Sequence, residues 1–204
     1  AMLRTGVRGD GFGTTKDGLS LDYLRAHPHG IDFGALEPRL PGHLRTPEAR
    51  IDLFAGPFAE DLHRLQTRVS EWAADGSLRL VGRRHLRSNN SWMHNLPVLV
   101  KGKPRCTLQL HPDDAVDLGL ADGDAAIVRS RVGELIAPVE VTDSVMPGVV
   151  SLPHGWGHGK PGARMNVAAE HAGVNSNVLT DPTMIDPLSG NAVLNGIPVE
   201  VVPA

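Results

Sequence analysis

The sequence predicts a mainly β fold with short helices, in which an irregular N-terminal connector precedes a small closed barrel. Glycine (23 residues) and proline (16) are abundant while aromatic residues make up only 4%, a composition typical of short strands joined by turns. From residue 77 onward, short apolar segments alternate with turn signals, as in small barrels. We therefore expect a connector over residues 1–76 and a barrel over residues 77–204.

The connector is predicted to be rich in turns up to about residue 56, with a short helix over 19–26 and an edge strand over 46–53. A longer helix is expected over 57–74, with proline in its first turn and Gly76 closing its end. Its apolar residues recur at helical spacing, and we interpret this stripe as a packing surface. The stripe consists of Phe58, Leu62, Leu65, Val69 and Trp72.

The barrel is predicted to contain several short strands and one capped helix over 111–120, in which Pro112 fits the first turn and Gly119 the end. A loop-rich stretch over 153–196 separates the last two strands, and loops of that length usually carry function. Strands are expected over residues 78–81, 96–100, 107–110, 125–131, 134–142, 149–152 and 197–202.

Composition excludes several classes of protein. A net charge of −3 argues against a nucleic-acid-binding surface, and no apolar run approaches the roughly 20 residues of a membrane helix. The single cysteine, Cys106, allows neither an intrachain disulfide nor a thiolate metal cluster, and we expect a buried, inert thiol. These features, with no visible signal peptide, favour a cytoplasmic protein. The Ala1-Met2 start is interpreted as a remnant of cloning, which suggests a piece of a longer protein.

Two polar regions are candidates for ligand binding. Residues 82–95 combine three arginines, whose planar guanidinium groups suit phosphate, with Asn and Ser side chains that suit the edge of a heterocycle. Trp92 in this region would either stack on a ligand or plug the barrel end. Residues 152–159 and 172–181 combine glycines, histidines and asparagines. A solvated polar loop is the alternative for the first region, and a zinc site at His154 and His158 is a less favoured alternative for the second.

Motifs of known chemistry are missing. No glycine-rich phosphate loop, dinucleotide fingerprint or hydrolase nucleophile elbow is present. The polar regions therefore indicate binding rather than catalysis.

The order and spacing of these segments resemble the C-terminal part of the dimethyl-sulfoxide-reductase family of molybdenum enzymes, which includes formate dehydrogenases and nitrate reductases. The strongest piece is Leu110-His111-Pro112-Asp113-Asp114-Ala115 through Leu118-Gly119-Leu120-Ala121-Asp122-Gly123-Asp124. The resemblance implies a six-stranded double-psi β-barrel of the aspartate-decarboxylase-like type. It also implies that the barrel binds molybdopterin guanine dinucleotide, two copies of which hold molybdenum or tungsten in the full-length enzyme (bis-MGD).

Carried over position by position, the resemblance assigns three loops and one further asparagine to the cofactor, and assigns neither a catalytic residue nor a metal ligand to this chain. Asn195 stands where several members have a lysine. The cofactor-binding residues expected on this basis are Arg84, Leu86, Arg87, Ser88, Asn89, Asn90, Ser91, Trp92, His154, Gly155, Trp156, Gly157, His158, Asn175, Asn177 and Asn195.

The resemblance further implies that the missing N-terminal catalytic domains are the partner of this barrel. An iron–sulfur cluster would lie in those domains, and the isolated chain would be inactive. Two alternatives stay open. One is a stand-alone pterin-binding subunit of a multi-chain molybdoenzyme, and the other is a barrel enzyme with a metal held by His154, His158 and His171.

Overall fold

The computed structural model describes residues 1–204, with residues 73 and 74 placed only as part of a helix. The chain divides into two compact units, residues 1–53 and 54–204. The helix expected over 57–74 thus falls in the same unit as the barrel, and the predicted domain boundary after residue 76 stays a prediction.

The first unit contains the short helices α1 (Met2–Thr5) and α2 (Leu21–Ala26), joined by turns. The edge strand predicted over 46–53 is wrong, because this stretch forms turns and bends. The hydroxyl of Thr46 donates to the carbonyl of Arg50 at 2.5 Å and accepts from the amide of Arg50 at 3.1 Å. These local bonds take backbone groups that a strand would need for its ladder.

Helix α3 (Gly56–Ala74) opens the second unit, with Pro57 in its first turn and Gly76 just past its end at φ +63°. The apolar stripe was expected to be a packing surface, but it is not buried in the core of this chain. Its five side chains stay between 41% and 57% exposed in this chain.

Six strands form a closed barrel in the order β1-β5-β2-β4-β3-β6, with β6 returning to β1. The pairs β1/β5 and β2/β4 are parallel, and the others are antiparallel. The predicted mainly β, double-psi barrel is thereby confirmed. The strands are β1 (Leu78–Arg83), β2 (Leu108–Leu110), β3 (Ala125–Arg129), β4 (Glu134–Val141), β5 (Val149–Pro153) and β6 (Ile197–Pro203).

The barrel interior is filled by aliphatic side chains from alternate strand positions, as the two-residue repeat of a strand dictates. Leu108 and Leu110 of β2, Val128 of β3, and Val150 and Leu152 of β5 are completely buried. Interior packing of this kind makes the barrel a solid support rather than a channel, so any ligand must bind at its ends or on its loops.

Short helical segments connect the strands: α4 (Pro97–Val100), α5 (Pro112–Leu118), α6 (Asn166–Glu170) and a 3₁₀ turn (Ser176–Leu179). The strand predicted over 96–100 is wrong, because it is replaced by α4. Proline at the start of this segment has no N–H for a ladder, and the amides of Val100 and Lys101 bond back to the carbonyls of Leu96 and Pro97. Helix α5 is confirmed, and it ends at Gly119 in the left-handed conformation.

No helix in the part of the chain that is described has the length and apolar character needed to cross a bilayer.

Candidate functional site

The parallel pairing of β1 with β5 brings two of the predicted loops together. Arg83, the last residue of β1, is paired with Pro153, the last residue of β5, and the amide of His154 donates to the carbonyl of Arg83 at 3.0 Å. Both strands run in the same direction, so the chain leaves both at the same end of the barrel. The loop over 84–95 therefore starts beside the loop over 154–158, although about seventy residues separate them in sequence.

The base of this region is fastened by Arg83. Its guanidinium donates to the carbonyl of Ser151 at 2.5 Å, and to the carbonyl and hydroxyl of Thr107 at 2.8 and 2.9 Å. Burial lowers the pKa of Arg83, while the negative charge of Glu140 acts in the opposite direction. One of the three arginines in the predicted loop thus ties β1, β5 and the chain before β2 together and is not available for phosphate.

The other two arginines differ from Arg83. The side chains of Arg84 and Arg87 are exposed, and neither forms a hydrogen bond or ion pair with any residue whose placement is described. An exposed guanidinium without a carboxylate partner is well suited to an anionic ligand, because its planar donors match phosphate oxygens. These two residues therefore carry the positive charge that a phosphate group would meet in this loop.

The loop after β1 has an unusual backbone at two adjacent asparagines. Asn89 and Asn90 adopt φ values of +41° and +60°, in the left-handed region that asparagine tolerates better than most residues. The buried hydroxyl of Ser88 donates to the carbonyl of His85 at 3.0 Å and holds the turn. The side chains of Asn89 and Asn90 form no hydrogen bond with the described chain and stay free to bind a ligand.

Glycines allow the three predicted loops to touch. A Cβ on Gly155 would lie 2.2 Å from the carbonyl oxygen of Asn90, and a Cβ on Gly157 would lie 2.6 Å from the Cβ of Asn175. Both positions also have positive φ, of +89° and +106°. Only glycine fits such close approaches. The structure thus brings the loops over 84–92, 154–158 and 175–177 into contact.

A cavity of about 170 Å³ lies where these loops meet the barrel. Four of the predicted residues line it: Arg84, His154, Asn177 and Asn195. The Oδ1 atom of Asn195 accepts from the amide of Gly82 at 2.7 Å, which fixes this side chain against β1. The cavity therefore combines one cation, one imidazole and two amides from four separate segments of the chain.

Other predicted residues lie outside that cavity. Leu86 and Trp92 are 94% and 83% exposed, so Trp92 does not plug the barrel end. Asn175 accepts from the amide of Asn177 at 3.0 Å and begins the 3₁₀ turn, which gives it a structural role. Leu86, Arg87, Ser88, Asn89, Asn90, Ser91, Trp92, Gly155, Trp156, Gly157, His158 and Asn175 are the predicted residues that do not line the cavity.

One functional candidate was missed in the sequence. His94 is 1% exposed, and its Nδ1 atom lies 2.7 Å from Nε2 of His158. Its ring also stacks at a tilt on that of Trp156, with centroids 4.3 Å apart. The only signal available in the sequence was its place inside the polar region 82–95. Its partner became visible only through the pairing of β1 with β5.

The metal alternative receives no support. No cluster of three His, Cys, Asp or Glu residues that could hold a metal occurs among the residues described, and His158 contacts His94 rather than His154 or His171.

Cys106 is buried, and burial raises the pKa of its thiol, which disfavours the reactive thiolate. The site is therefore equipped with hydrogen-bond donors, acceptors and cations rather than with a nucleophile.

Comparison with known proteins agrees with this arrangement. The family model described as the molydopterin dinucleotide binding domain matches residues 78–198. A tetrathionate reductase subunit of Salmonella typhimurium is 32% identical over 123 residues, which are 52% of this chain and 12% of that protein. The dimethyl sulfoxide/trimethylamine N-oxide reductase of Rhodobacter capsulatus is 43% identical over 56 residues, which are 28% of this chain and 7% of that protein. The chain thus matches only a small part of the length of these relatives.

Among solved structures, acetylene hydratase from Pelobacter acetylenicus superposes with a TM-score of 0.57 and 24% identity, over 78% of this chain and 24% of that one. This likeness supports the fold. Because the family model covers more than half of the chain, from β1 to the start of β6 and including the loops at the barrel end, the chain belongs to the molydopterin (molybdopterin) dinucleotide binding domain family of molybdopterin oxidoreductases.

Proposed function

We propose that this chain is the cofactor-binding part of a longer molybdenum or tungsten oxidoreductase, and that it holds the pterin and phosphate groups of bis-MGD. The observation that carries the proposal is that arginine and asparagine side chains without hydrogen-bond partners in the described chain lie together at one end of the barrel. Arg84 and Arg87 would bind phosphate oxygens, while Asn89, Asn90 and Asn177 would bind the edges of the heterocycles. The metal-bound cofactor would supply the redox chemistry, and this chain would orient it.

The residues present fit part of such a cofactor. A cavity of about 170 Å³ falls below the roughly 300 Å³ at which small-molecule sites usually begin. Arg84, His154, Asn177 and Asn195 would therefore grip one portion of the dinucleotide, and further walls would come from other domains. The isolated chain would then bind weakly and show no redox activity.

The exposed stripe on α3 supports the same conclusion. Its apolar residues are spaced four, three, four and three residues apart, which is the repeat of a helix that packs along a partner helix. Half-exposed apolar side chains aligned along one helix face in this way favour an interaction site. We assign its partner to the remaining domains of the same polypeptide, since the matched segments are only 12% and 7% of the lengths of the two relatives. The iron–sulfur cluster that such enzymes can carry, and the metal ligand, would lie in those domains.

Replacing the two free asparagines tests the proposal directly. In the full-length enzyme, Asn90→Gly combined with Asn177→Ala is expected to lower molybdenum or tungsten content at least several-fold while the barrel stays folded, because glycine removes the amide and still permits the left-handed backbone of residue 90. The matched control is Asn191→Ala, an exposed asparagine outside the cavity. Metal content is measured by elemental analysis, and released guanine nucleotide is measured in parallel. Equal contents in the double variant and the control would contradict the assignment.

The arginines allow an independent test. Arg84→Gln combined with Arg87→Gln should weaken binding of the nucleotide phosphates and raise the fraction of enzyme purified without cofactor. Arg164→Gln, an exposed arginine elsewhere on the chain, is the control.

An in-frame upstream coding region would distinguish a single long polypeptide from a separate barrel subunit. A cytoplasmic location stays a prediction.

A further inference from the structure

The contact between His94 and His158 requires one ring to donate a hydrogen bond and the other to accept it. The two ring nitrogens, Nδ1 of His94 and Nε2 of His158, lie 2.7 Å apart. At such a distance one nitrogen must carry the hydrogen and the other must offer its lone pair. The proton on each ring is then fixed by its neighbour, because a neutral imidazole has one N–H and one bare nitrogen.

The surroundings of His94 decide which nitrogen is the donor. Its Nε2 atom and the Nε1 atom of Trp156 are both buried and lack a hydrogen-bond partner among the described residues. The indole Nε1 always carries hydrogen. If His94 carried its proton on Nε2, two unpaired donors would be buried in neighbouring rings. With the proton on Nδ1, Nε2 is instead a bare nitrogen, and the indole N–H is the one unpaired donor left in this pair of neighbouring rings.

Protonation of both nitrogens of His94 is disfavoured. Burial, reinforced by the neighbouring His158 and His85, lowers the pKa of His94 to about 4. The ring is therefore neutral at and above neutral pH, and a choice between its two tautomers remains.

We propose that His94 is a positioning residue whose Nδ1–H donates to Nε2 of His158, so that His158 keeps its own proton on Nδ1. His158 is partly exposed, and its Nδ1 atom has no hydrogen-bond partner among the residues described. In the holoenzyme this N–H donates to an acceptor oxygen of the cofactor. Only this last step rests on the proposed function, because the tautomers of the two histidines are set by the chain itself.

The tautomers can be measured without cofactor. In the ¹⁵N-labelled 204-residue chain at pH 8, long-range ¹H–¹⁵N correlation spectra distinguish the two nitrogens of each imidazole. We expect both His94 and His158 to carry hydrogen on Nδ1, the less common form of free histidine. The control His171→Gln, at an exposed position, should leave both patterns unchanged. Hydrogen on Nε2 of either His94 or His158 would overturn the proposal.

Two substitutions at His94 then separate positioning from packing. His94→Asn keeps an amide N–H near the place of Nδ1 and should preserve the tautomer of His158. His94→Phe keeps an aromatic ring but has no donor, and should shift His158 toward hydrogen on Nε2. An unchanged His158 tautomer in the Phe variant would count against the proposal. If that variant does not fold, the tautomers of the unmodified chain still decide the question.

The link to the cofactor has its own readout. In the full-length enzyme, His94→Phe should lower cofactor content several-fold relative to His94→Asn, since only the latter maintains the donor on His158. Equal cofactor content in the two variants would refute this step. If the tautomers are as expected while the enzyme proves to contain no molybdenum or tungsten, the proposed function fails and the positioning role stands.

Discussion

The contact between Gly155 and Asn90 can be tested by adding a single methyl group. A Cβ on Gly155 would lie 2.2 Å from the carbonyl oxygen and 2.3 Å from the carbonyl carbon of Asn90, whereas ordinary contacts begin at 3.4 Å. Both obstructing atoms belong to the backbone, so no side chain can rotate away. In Gly155→Ala, the two loops must therefore separate by roughly 1 Å, the gap needed to restore van der Waals contact.

The cost of this substitution has two parts. Alanine at a left-handed φ costs roughly 1–2 kcal/mol, whatever the space around it. Forced displacement in a packed region adds about 1–3 kcal/mol. Gly162 separates these parts, because it has nearly the same φ (+90° against +89°) and no atom within 4 Å of its added Cβ. We expect Gly162→Ala to lose about 1–2 kcal/mol and Gly155→Ala about 2–5 kcal/mol.

Urea unfolding of the two variants, followed by circular dichroism, measures both losses against the parent chain. Amide chemical shifts around Asn90 provide a local readout, and they should move in Gly155→Ala but not in Gly162→Ala. The reasoning is refuted by equal losses of stability in the two variants, or by an unmoved Asn90 amide in Gly155→Ala. In either case the two loops would be farther apart than the structure places them.

Other predictions concern the core and the titratable groups. Leu152→Ala, at a completely buried position, should lower the free energy of unfolding by about 2–5 kcal/mol, measured by urea titration. Hydrogen bonds from Thr183 and Arg131 lower the pKa of Asp181 to about 2. The stability that its ionised form provides is present above about pH 4 and lost as the pH falls toward 2. Asp181→Asn should flatten that part of the profile, and an unchanged profile would contradict the assignment. The pKa of His94, about 4, lies below the usual 6.5, so the folded chain favours the neutral ring. The contribution of the neutral ring to the free energy of unfolding should be fully present above about pH 6.5, and it should fall by up to about 3 kcal/mol as the pH approaches 4. His94→Asn should remove most of this dependence, and identical slopes in variant and parent would rule it out.

The regular elements of the barrel could be predicted because their patterns are local. The alternation over 125–131 and the turn at Val132-Gly133, after which the chain returns over 134–142, identified β3 and β4 to within two residues. Helix α5 was identified by proline in the first turn and Gly119 at the end. The strand predicted over 96–100 was wrong because a short apolar run fits a strand and a helical turn equally well.

The roles of individual site residues depended on features that no local pattern contains. The three arginines of one polar region could not be told apart in the sequence. In the structure the Arg83 side chain bonds to the backbone of Ser151 and Thr107, whereas the Arg84 side chain is exposed. Arg83 is still part of β1, and successive side chains of a strand alternate between its faces. The strand boundary thus decides which arginine is structural. The partner of His94 likewise depends on the adjacency of β1 and β5, which is a long-range pairing.

That pairing also sets an order of events for the assembly of the molecule. Arg79 pairs with Val149, across a chain separation that makes β1/β5 a costly contact to form early in folding. Until it forms, the residues that would meet a cofactor are scattered along an open chain. The loops that follow β1 and β5 therefore come together only once these two strands have paired. If these loops bind a dinucleotide as proposed, the complete site is available to it only after β1 and β5 have paired.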